Sequence, residues 1–468
     1  MKQEQMFAGG NMAKKNRTVY VCQECGYESP KWMGQCICGA WNTFVEEKVK
    51  DADVSDKRSR TMDRKRTQMQ KLSDVRSGNE TRMDTGIGEL NRVLGGGLVR
   101  GSLTLISGEP GIGKSTLILQ AAANISSAGG TVLYVSGEES EEQIRMRADR
   151  ICKDIPDSLF ILSETCIENV FECAQDLKPS FMIIDSVQTM YSEDIDSAPG
   201  SVSQIRMCGN ELMRVGKVYD IPVFIVAHVT KQGELAGPKT VEHMVDCVLD
   251  FTGERNQDIR ILRCYKNRFG TTSEIGAFEM GPSGLEEIEN LSRTFLEDSE
   301  SGTEGAVVTA VYEGSRPLLM EVQALSSAAG PGFARRSSVG VDLRRLNMII
   351  AVLEKKAGLS LGNEDIYLNV VGGLKPEGTY IDLAVALAIY STYRGIPSPD
   401  RTIVLGEIGL TGELRNVMNA DKIVREAKRM GFRNVILPKK NAEKIGNVEG
   451  MILTGVRNIS EALDFFRR

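Results

Sequence analysis

The residues whose spacing most clearly suggests chemistry form one glycine-rich segment, Gly108-Glu109-Pro110-Gly111-Ile112-Gly113-Lys114-Ser115-Thr116. This segment matches G-x-x-x-x-G-K-[S/T], in which glycines allow consecutive backbone N–H groups to point at a bound phosphate. Lys114 would place its ammonium on the β- and γ-phosphates, and the Ser115 hydroxyl would bind Mg²⁺. The segment therefore predicts a site for a nucleoside triphosphate with Mg²⁺.

The elements on either side of this loop are those that a phosphate-binding loop needs. Residues 103–107 form a short apolar run that predicts a buried strand, and an apolar helix begins at Thr116. The positive N-terminal end of that helix would face the same phosphate. A chance match in a glycine-rich turn is the alternative, and both flanking patterns disfavour it.

Residues 83–290 alternate short apolar runs with amphipathic helical stretches, which is typical of a mostly parallel sheet covered by helices on both faces. The runs are 102–107, 131–136, 181–185, 222–227, 245–251 and 259–265. Ligands bind at the carboxyl ends of strands in such sheets. Asp185 ends the run 181–185, so we expect it to contribute to the Mg²⁺ shell as a Walker B acid.

Two further strand ends carry candidate residues. Glu138 and Glu139 follow the run 131–136. Glu138 is the candidate general base that positions and polarises the attacking water, whereas Glu139 better fits an acid stabilised by a helix N-terminus. His228 follows the run 222–227, where it could report the state of the γ-phosphate or serve only the structure.

Residues 19–45 contain two closely spaced cysteine pairs, Cys22-x-x-Cys25 and Cys36-x-Cys38. Four thiolates in two turns can form a tetrahedral Zn²⁺ site, which predicts a zinc ribbon. So short a segment has almost no core, and the metal would supply most of its folding energy. A redox-active pair or incidental thiols are the alternatives, which four cysteines within 17 residues disfavour.

The composition is that of a soluble globular protein with two or three domains: 468 residues, 41% hydrophobic and 26% charged. The sequence shows neither a membrane span nor a secretory leader, and its scattered cysteines are typical of a reduced compartment, so we expect a cytoplasmic protein. Net charge is −6, yet residues 1–82 carry 16 basic and 11 acidic residues, a net of +5. We interpret 1–18 as an N-terminal extension and 46–82 as a basic linker, which could touch nucleic acid or simply be solvated.

A second, acidic linker is expected at 291–304, followed by a separate α/β domain at 305–468. That domain resembles the proteolytic domain of Lon, which needs a Ser–Lys dyad. Aligned without gaps, the serine falls on Tyr380 and the lysine on Asp421, with Lys422 one residue away. We therefore expect a non-proteolytic scaffold for ring assembly. Four arginines of this domain could form one basic cluster for duplex DNA: Arg335, Arg336, Arg344 and Arg345.

Taken together, the zinc ribbon, GEPGIGKST, AHVTK and KNRFG (266–270) resemble the RadA (Sms) family of bacterial recombination and repair ATPases, from about residue 18 to the C-terminus. The resemblance implies an α/β protein with a zinc ribbon, a RecA-like P-loop ATPase core and a Lon-protease-like C-terminal domain. It also implies ATP, Mg²⁺ and Zn²⁺ as ligands, homohexameric rings, and the RecA recombinase as a partner. The activity it implies is an ATP-dependent DNA motor that promotes branch migration on single-stranded DNA.

Lys266 and Arg268 belong to the KNRFG motif and would project to the same side of an extended strand. They could reach a γ-phosphate bound by a neighbouring subunit, or they could contact DNA phosphates. In the family the loop at 231–243 would face DNA in the ring channel. An ATP-dependent Lon-like protease and a KaiC-like signalling ATPase are the alternative functions, and the missing dyad counts against the first.

The cysteine pairs generate the first prediction. We expect one Zn²⁺ per chain, bound by Cys22, Cys25, Cys36 and Cys38, and we expect Cys25→Ser to lower the zinc content because a tetrahedral site loses one ligand. Elemental analysis of freshly purified protein measures this, with Cys173→Ser, outside the ribbon, as the matched control. An untreated wild-type protein without zinc would contradict the assignment.

Overall fold

The structure is a computed structural model that describes residues 16–24, 26–50, 71, 82–228, 238–253, 258–296, 302–330, 333–371, 376 and 378–466. The chain divides into two compact units, the first ending at Glu287 and the second beginning at Ile288. Among the described residues, no helix combines the length and the apolar character that crossing a membrane requires.

The first unit begins with a small antiparallel sheet of three strands in the order β2-β1-β3. Its strands are β1 Asn16–Cys22, β2 Glu28–Ser29 and β3 Phe44–Lys50. The buried cluster consists of Cys22, Cys36 and Phe44, with Tyr20 and Met33 packed against it. The sequence predicts so small a core, and it stays a prediction that a bound metal supplies most of the folding energy of the ribbon.

The rest of the first unit is built on a nine-stranded sheet in the order β12-β11-β10-β9-β4-β8-β7-β5-β6. Strands β9 to β6 in this order are parallel, and β10, β11 and β12 extend the sheet in antiparallel fashion. The strands are β4 Leu103–Gly108, β5 Val132–Ser136, β6 Leu159–Ser163, β7 Phe181–Asp185, β8 Val223–Val226, β9 Cys247–Thr252, β10 Ile259–Asn267, β11 Ile275–Gly281 and β12 Gly284–Glu287. The predicted mostly parallel sheet is confirmed. The sequence runs do not include β6, β11 and β12, which lie towards the two edges, where partial exposure weakens the apolar pattern.

Helices cover both faces of this sheet, as the sequence predicts. They are α1 Gly88–Leu94, α2 Lys114–Ser127, α3 Glu141–Ile151, α4 Ile167–Leu177, α5 Val202–Tyr219 and α6 Pro238–Met244. Leu117 of α2 and Ile144 of α3 belong to one buried cluster, whereas Val170 of α4 and Leu212 of α5 belong to another. The parallel strands are thus buried on both sides, which explains their continuous apolar runs.

The second unit is a seven-stranded sheet in the order β15-β16-β14-β13-β17-β20-β21, with a separate hairpin of β18 and β19. Its strands are β13 Ala306–Glu313, β14 Arg316–Ala328, β15 Arg336–Val339, β16 Glu364–Val370, β17 Thr402–Val404, β18 Glu407–Ile408, β19 Leu414–Arg415, β20 Asn434–Pro438 and β21 Ile452–Val456. Its helices are α7 Leu291–Leu296, α8 Leu343–Ala357, α9 Asp382–Arg394, α10 Ala420–Arg429, α11 Lys439–Ile445 and α12 Ile459–Phe466. A separate C-terminal α/β domain is therefore confirmed.

The start of this unit differs from the sequence interpretation. The sequence predicts an acidic linker at 291–304, yet the first six of these residues fold as α7. Leu291 and Phe295 lie one helical turn apart and are buried. The Ser292 hydroxyl accepts a hydrogen bond of 3.0 Å from the Leu319 backbone amide of β14. The acidic composition of the whole segment hides this short apolar face.

The four arginines expected to form one basic cluster also differ from expectation. Arg345 donates to Asp382, with 3.0 Å from its Nε to Oδ1, and Asp382 is buried. The Arg336 guanidinium donates to the carbonyls of Leu361, at 2.6 Å, and Glu364. Arg335 and Arg344 are exposed. Two of the four side chains thus stabilise the fold, because a buried carboxylate and backbone carbonyls need donors.

The Arg345–Asp382 pair generates a stability prediction. Burial raises the pKa of Asp382, an effect that Arg345 and the Ile408 amide oppose, so the carboxylate depends on these partners. We expect Asp382→Ala to destabilise the second unit by about 3 kcal/mol, because it leaves a partly buried guanidinium without its partner. Urea denaturation, with local hydrogen exchange of α9, measures the loss. Asp421→Ala is the matched control, since Asp421 forms an exposed pair with Arg425 and should cost under about 0.5 kcal/mol. Equal losses in the two variants would contradict the prediction.

Candidate functional site

The predicted phosphate-binding loop connects β4 to α2 at the carboxyl edge of the sheet. Gly108, Gly111 and Gly113 have positive φ values of 150°, 79° and 115°. A Cβ on Gly108 would lie 2.4 Å from the Phe251 carbonyl oxygen, so a larger residue cannot take this position without displacing backbone. The loop conformation therefore requires glycine at the positions that the motif specifies.

Lys114 is buried at the first position of α2, with 3% of its surface exposed. Its Nζ donates to the carbonyl oxygens of Gly108, at 2.8 Å, and Glu109, at 2.9 Å. Burial lowers the pKa of the ammonium to about 8, while the negative charges of Asp185, Glu138 and Asp250 act in the opposite direction. The site thus concentrates three acids around one buried cation.

Asp185 ends β7 and lies opposite Ser136 of β5. Its Oδ2 accepts a hydrogen bond of 2.6 Å from the hydroxyl of Tyr134, which is fully buried. Asp185 and Ser115, at the first turn of α2, are the residues that would hold Mg²⁺, and an oxygen donor set of carboxylate and hydroxyl fits this hard cation. The ion would neutralise charge on the phosphates.

The structure brings Glu138 and His228 together, as their positions at strand ends suggest. Glu138 accepts a hydrogen bond from the Ser186 hydroxyl, and its Oε1 lies 3.6 Å from Nε2 of His228. The Glu138 side chain is 42% exposed, so water can reach it. Glu139, in contrast, is paired with Arg147 and precedes the N-cap of α3, Ser140. Its expected role as a helix N-terminal acid is taken instead by Glu141 and Glu142 in the first turn.

The sequence analysis did not identify Asp250, which lies on β9, the strand next to β4. Ser107 pairs with Asp250 in the β4–β9 register, and the Ser107 hydroxyl is 3.1 Å from both Asp250 Oδ1 and the Leu249 carbonyl. Burial raises the pKa of Asp250, while Ser107 and Lys114 lower it. An acid near the end of an apolar run, the signal that identified Asp185, is also present in 245–251 and could have found it.

Lys266 and Arg268 lie near the amino end of β4, at the opposite end of this strand from the phosphate-binding loop. Nη1 of Arg268 is 3.2 Å from Asp246 Oδ1, and the other Asp246 oxygen accepts a hydrogen bond of 3.1 Å from the Leu103 amide. Lys266 Nζ donates at 2.8 Å to the Glu242 carbonyl. Leu103 begins β4 and the phosphate-binding loop follows its end, so roughly 16 Å of strand separate the two sets of residues. The structure therefore does not bring Lys266 and Arg268 to Lys114 of the same chain.

The ribbon places three of its four predicted ligands together. The Sγ atoms of Cys22, Cys36 and Cys38 lie within 4.8 Å of one another, with 3.9 Å between those of Cys22 and Cys38. Cys25 lies outside the described residues. Three converging thiols fit a thiophilic metal such as Zn²⁺. The predicted channel loop at 231–243 also lies largely outside the described residues, which resume with α6.

Family models match three parts of the chain. Residues 20–46 match a rubredoxin metal binding domain, 68–234 an AAA domain, and 338–441 subunit ChlI of Mg-chelatase. Together with the glycine-rich loop, the buried lysine and the acid on a parallel strand, these matches define a RecA-like P-loop ATPase with a metal-binding ribbon and a C-terminal α/β domain.

Full-length relatives specify the family. The chain is 48% identical over 451 residues to "DNA repair protein RadA" of Bacillus subtilis (strain 168), covering 96% of this chain and 98% of that protein. It is 46% identical over 457 residues to the protein of the same name from Listeria monocytogenes serovar 1/2a, covering 97% and 99%. The chain belongs to the RadA family of DNA repair proteins. Among solved structures, a KaiC-like protein from Pyrococcus horikoshii matches 44% of this chain and 98% of its own, at 19% identity and a TM-score of 0.38.

The pKa of Lys114 generates a prediction for nucleotide binding. The phosphates interact with the charged ammonium, so affinity should be full below pH 8 and decline as the pH rises through the pKa of about 8. We expect affinity for a fluorescent ATP analogue with Mg²⁺ to fall about tenfold between pH 7 and pH 9. Lys114→Ala should bind weakly with no such pH dependence. A wild-type affinity that stays constant across this range would contradict the assigned role of the ammonium.

Proposed function

We propose that this protein is an ATP-dependent DNA motor that acts in homologous recombination and promotes branch migration on single-stranded DNA. The observation that carries the proposal is the assembled nucleotide site, with a buried Lys114 facing Asp185 and Glu138, in a chain similar over its whole length to proteins named DNA repair protein RadA. We further propose a homohexameric ring that uses ATP and Mg²⁺, cooperates with the RecA recombinase, and carries Zn²⁺ on Cys22, Cys25, Cys36 and Cys38.

In the proposed reaction the chain's residues have separate roles. The loop amides and Lys114 bind the β- and γ-phosphates, where the ammonium stabilises developing negative charge. Glu138 orients the attacking water and accepts its proton, since its carboxylate is exposed to solvent and held by Ser186. His228, whose Nε2 lies 3.6 Å from Oε1 of Glu138, would respond to the presence of the γ-phosphate.

Arg268 is proposed to act on the nucleotide of a neighbouring subunit. Two observations support this: its anchor, Asp246, contacts the start of β4, far from the phosphate-binding loop of the same chain, and its side chain is 54% exposed. Lys266 shares this location, and burial together with the Arg268 charge lowers its pKa. DNA phosphates are the other possible target, and the mixing experiment below separates the two.

An ATP-dependent protease is disfavoured by the second unit. Tyr380 and Asp421 occupy the positions of a Ser–Lys dyad, and the Lys422 ammonium contacts the Tyr312 hydroxyl at 2.9 Å. The described partner of this lysine is thus a phenol rather than a serine nucleophile. We therefore assign the unit to assembly and DNA contact rather than to peptide hydrolysis.

The rate of ATP hydrolysis with and without single-stranded DNA, together with the oligomer mass, tests the proposed function. We expect DNA to stimulate the wild-type rate and a labelled three-strand intermediate to be extended only with ATP. Lys114→Ala is the inactive control, because it lacks the phosphate-binding ammonium. Hydrolysis that responds to no DNA, in a protein that moves no branch point, would reject the motor and favour a signalling ATPase.

Arg268→Ala provides a sharper prediction. An arginine supplied by a neighbour typically contributes about 10³–10⁵ in turnover, so this variant should bind ATP and form rings but hydrolyse ATP very slowly. Arg214→Ala is the matched control, since Arg214 is a partly exposed arginine of α5 that pairs with Glu211. Its rate should stay close to that of the wild type.

Mixing two inactive variants tests action between subunits. In rings that contain both Arg268→Ala and Lys114→Ala, some interfaces join an intact Lys114 to an intact Arg268, so part of the activity should return. If native mass measurements show mixed rings and no activity returns, Arg268 serves DNA or its own chain instead.

A further inference from the structure

Tyr134 is a buried side chain that contacts Asp185 of the nucleotide site but has no role in the motifs or in the reaction described above. It lies in the middle of β5, where Ser136, two residues further on, pairs with Asp185 of β7. Side chains two residues apart on a strand project to the same face. The Tyr134 ring belongs to the buried cluster that contains Leu117 of α2 and Ile144 of α3. Its position is therefore fixed by packing on the face that carries the nucleotide site.

The Tyr134 hydroxyl is the donor in a single short contact, 2.6 Å from Oδ2 of Asp185. A phenol hydroxyl can donate this hydrogen bond, whereas an ionised carboxylate can only accept it. The proton thus lies on tyrosine and points at the carboxylate. A hydrogen bond to one oxygen restrains the rotation of the carboxylate and so helps to orient its other oxygen.

We propose that Tyr134 is a positioning residue, which holds Oδ2 of Asp185 and thereby orients the carboxylate for binding the Mg²⁺ of the nucleotide site. This assignment rests on the proposed ATPase function and extends it to β5, a strand separated from β4 and its phosphate-binding loop by β8 and β7. Groups that orient the ligands of a metal commonly change metal affinity by about 10–100-fold when removed. Tyr134 would act in this way through Asp185, without touching the ion or the nucleotide.

The test is Tyr134→Phe, which removes the hydroxyl and keeps the ring that packs in the core. We expect the Mg²⁺ concentration for half-maximal ATP hydrolysis to rise roughly tenfold, with a smaller change in kcat at saturating Mg²⁺. Binding of Mn²⁺ with a non-hydrolysable ATP analogue, followed by electron paramagnetic resonance, should weaken by the same factor. Binding of that analogue in EDTA should be unchanged, because the phosphate-binding loop is intact.

Tyr390→Phe is the matched control, since it removes another buried phenol hydroxyl, from α9 of the second unit. It should leave the metal dependence unchanged. If Tyr134→Phe lowers analogue binding equally with and without metal, or lowers kcat at an unchanged Mg²⁺ requirement, the hydroxyl serves only the fold and the proposal is wrong. If the wild type itself binds no metal–nucleotide complex, the proposed ATPase function is wrong as well. If the wild type binds the complex and Tyr134→Phe binds it equally well, only the role of Tyr134 is wrong.

Discussion

The ATPase unit depends on keeping a positive charge buried at the carboxyl edge of its central sheet. Lys114 has 3% of its surface exposed, and its ammonium is held by two loop carbonyls and by the field of Asp185, Glu138 and Asp250. Burying a cation is costly unless hydrogen bonds and opposite charges compensate. The three acids belong to three different strands or strand ends, so their convergence requires the correct order of β4, β5, β7 and β9. The electrostatic stabilisation of the Lys114 ammonium therefore depends on the strand order of the sheet.

β4 connects two sets of residues that the proposed reaction uses, one at each end of the strand. At its carboxyl end, the phosphate-binding loop follows Gly108. At its amino end, Leu103 donates a hydrogen bond to the side chain of Asp246 and accepts one from its backbone amide, and Asp246 also holds Arg268. A strand inside a sheet is stiff, because it is hydrogen-bonded to both neighbouring strands. β4 therefore connects the phosphate-binding loop to the residues that hold Arg268, the arginine proposed to act on a neighbouring subunit.

The parts of this architecture that local spacing determines could be predicted from the sequence. The glycine pattern before Lys114, the apolar run that ends in Asp185 and the paired cysteines each have a short-range signature. Tyr134 could not be assigned in this way, because its contact with Asp185 arises from the register between strands distant in the chain. The prediction for Arg345 is wrong for a related reason. Its partner, Asp382, is 37 residues away in the sequence. The arginines themselves do not indicate whether they bind DNA or a buried carboxylate.

The ribbon contacts α5 of the ATPase sheet while keeping a small buried cluster of its own. The Gly26 amide donates to the Cys22 carbonyl at 2.9 Å, which closes the turn that follows Cys22. Gly26 has φ of 72°, and its carbonyl accepts a hydrogen bond of 2.9 Å from Arg206 of α5. Arg206 also lies 3.8 Å from Glu28 of β2. Because this acceptor belongs to the backbone of the turn, its direction depends on the turn geometry. The ribbon is therefore anchored to α5 through the backbone of this turn, and α5 packs in the same buried cluster as Val187 and Met190, which follow Asp185.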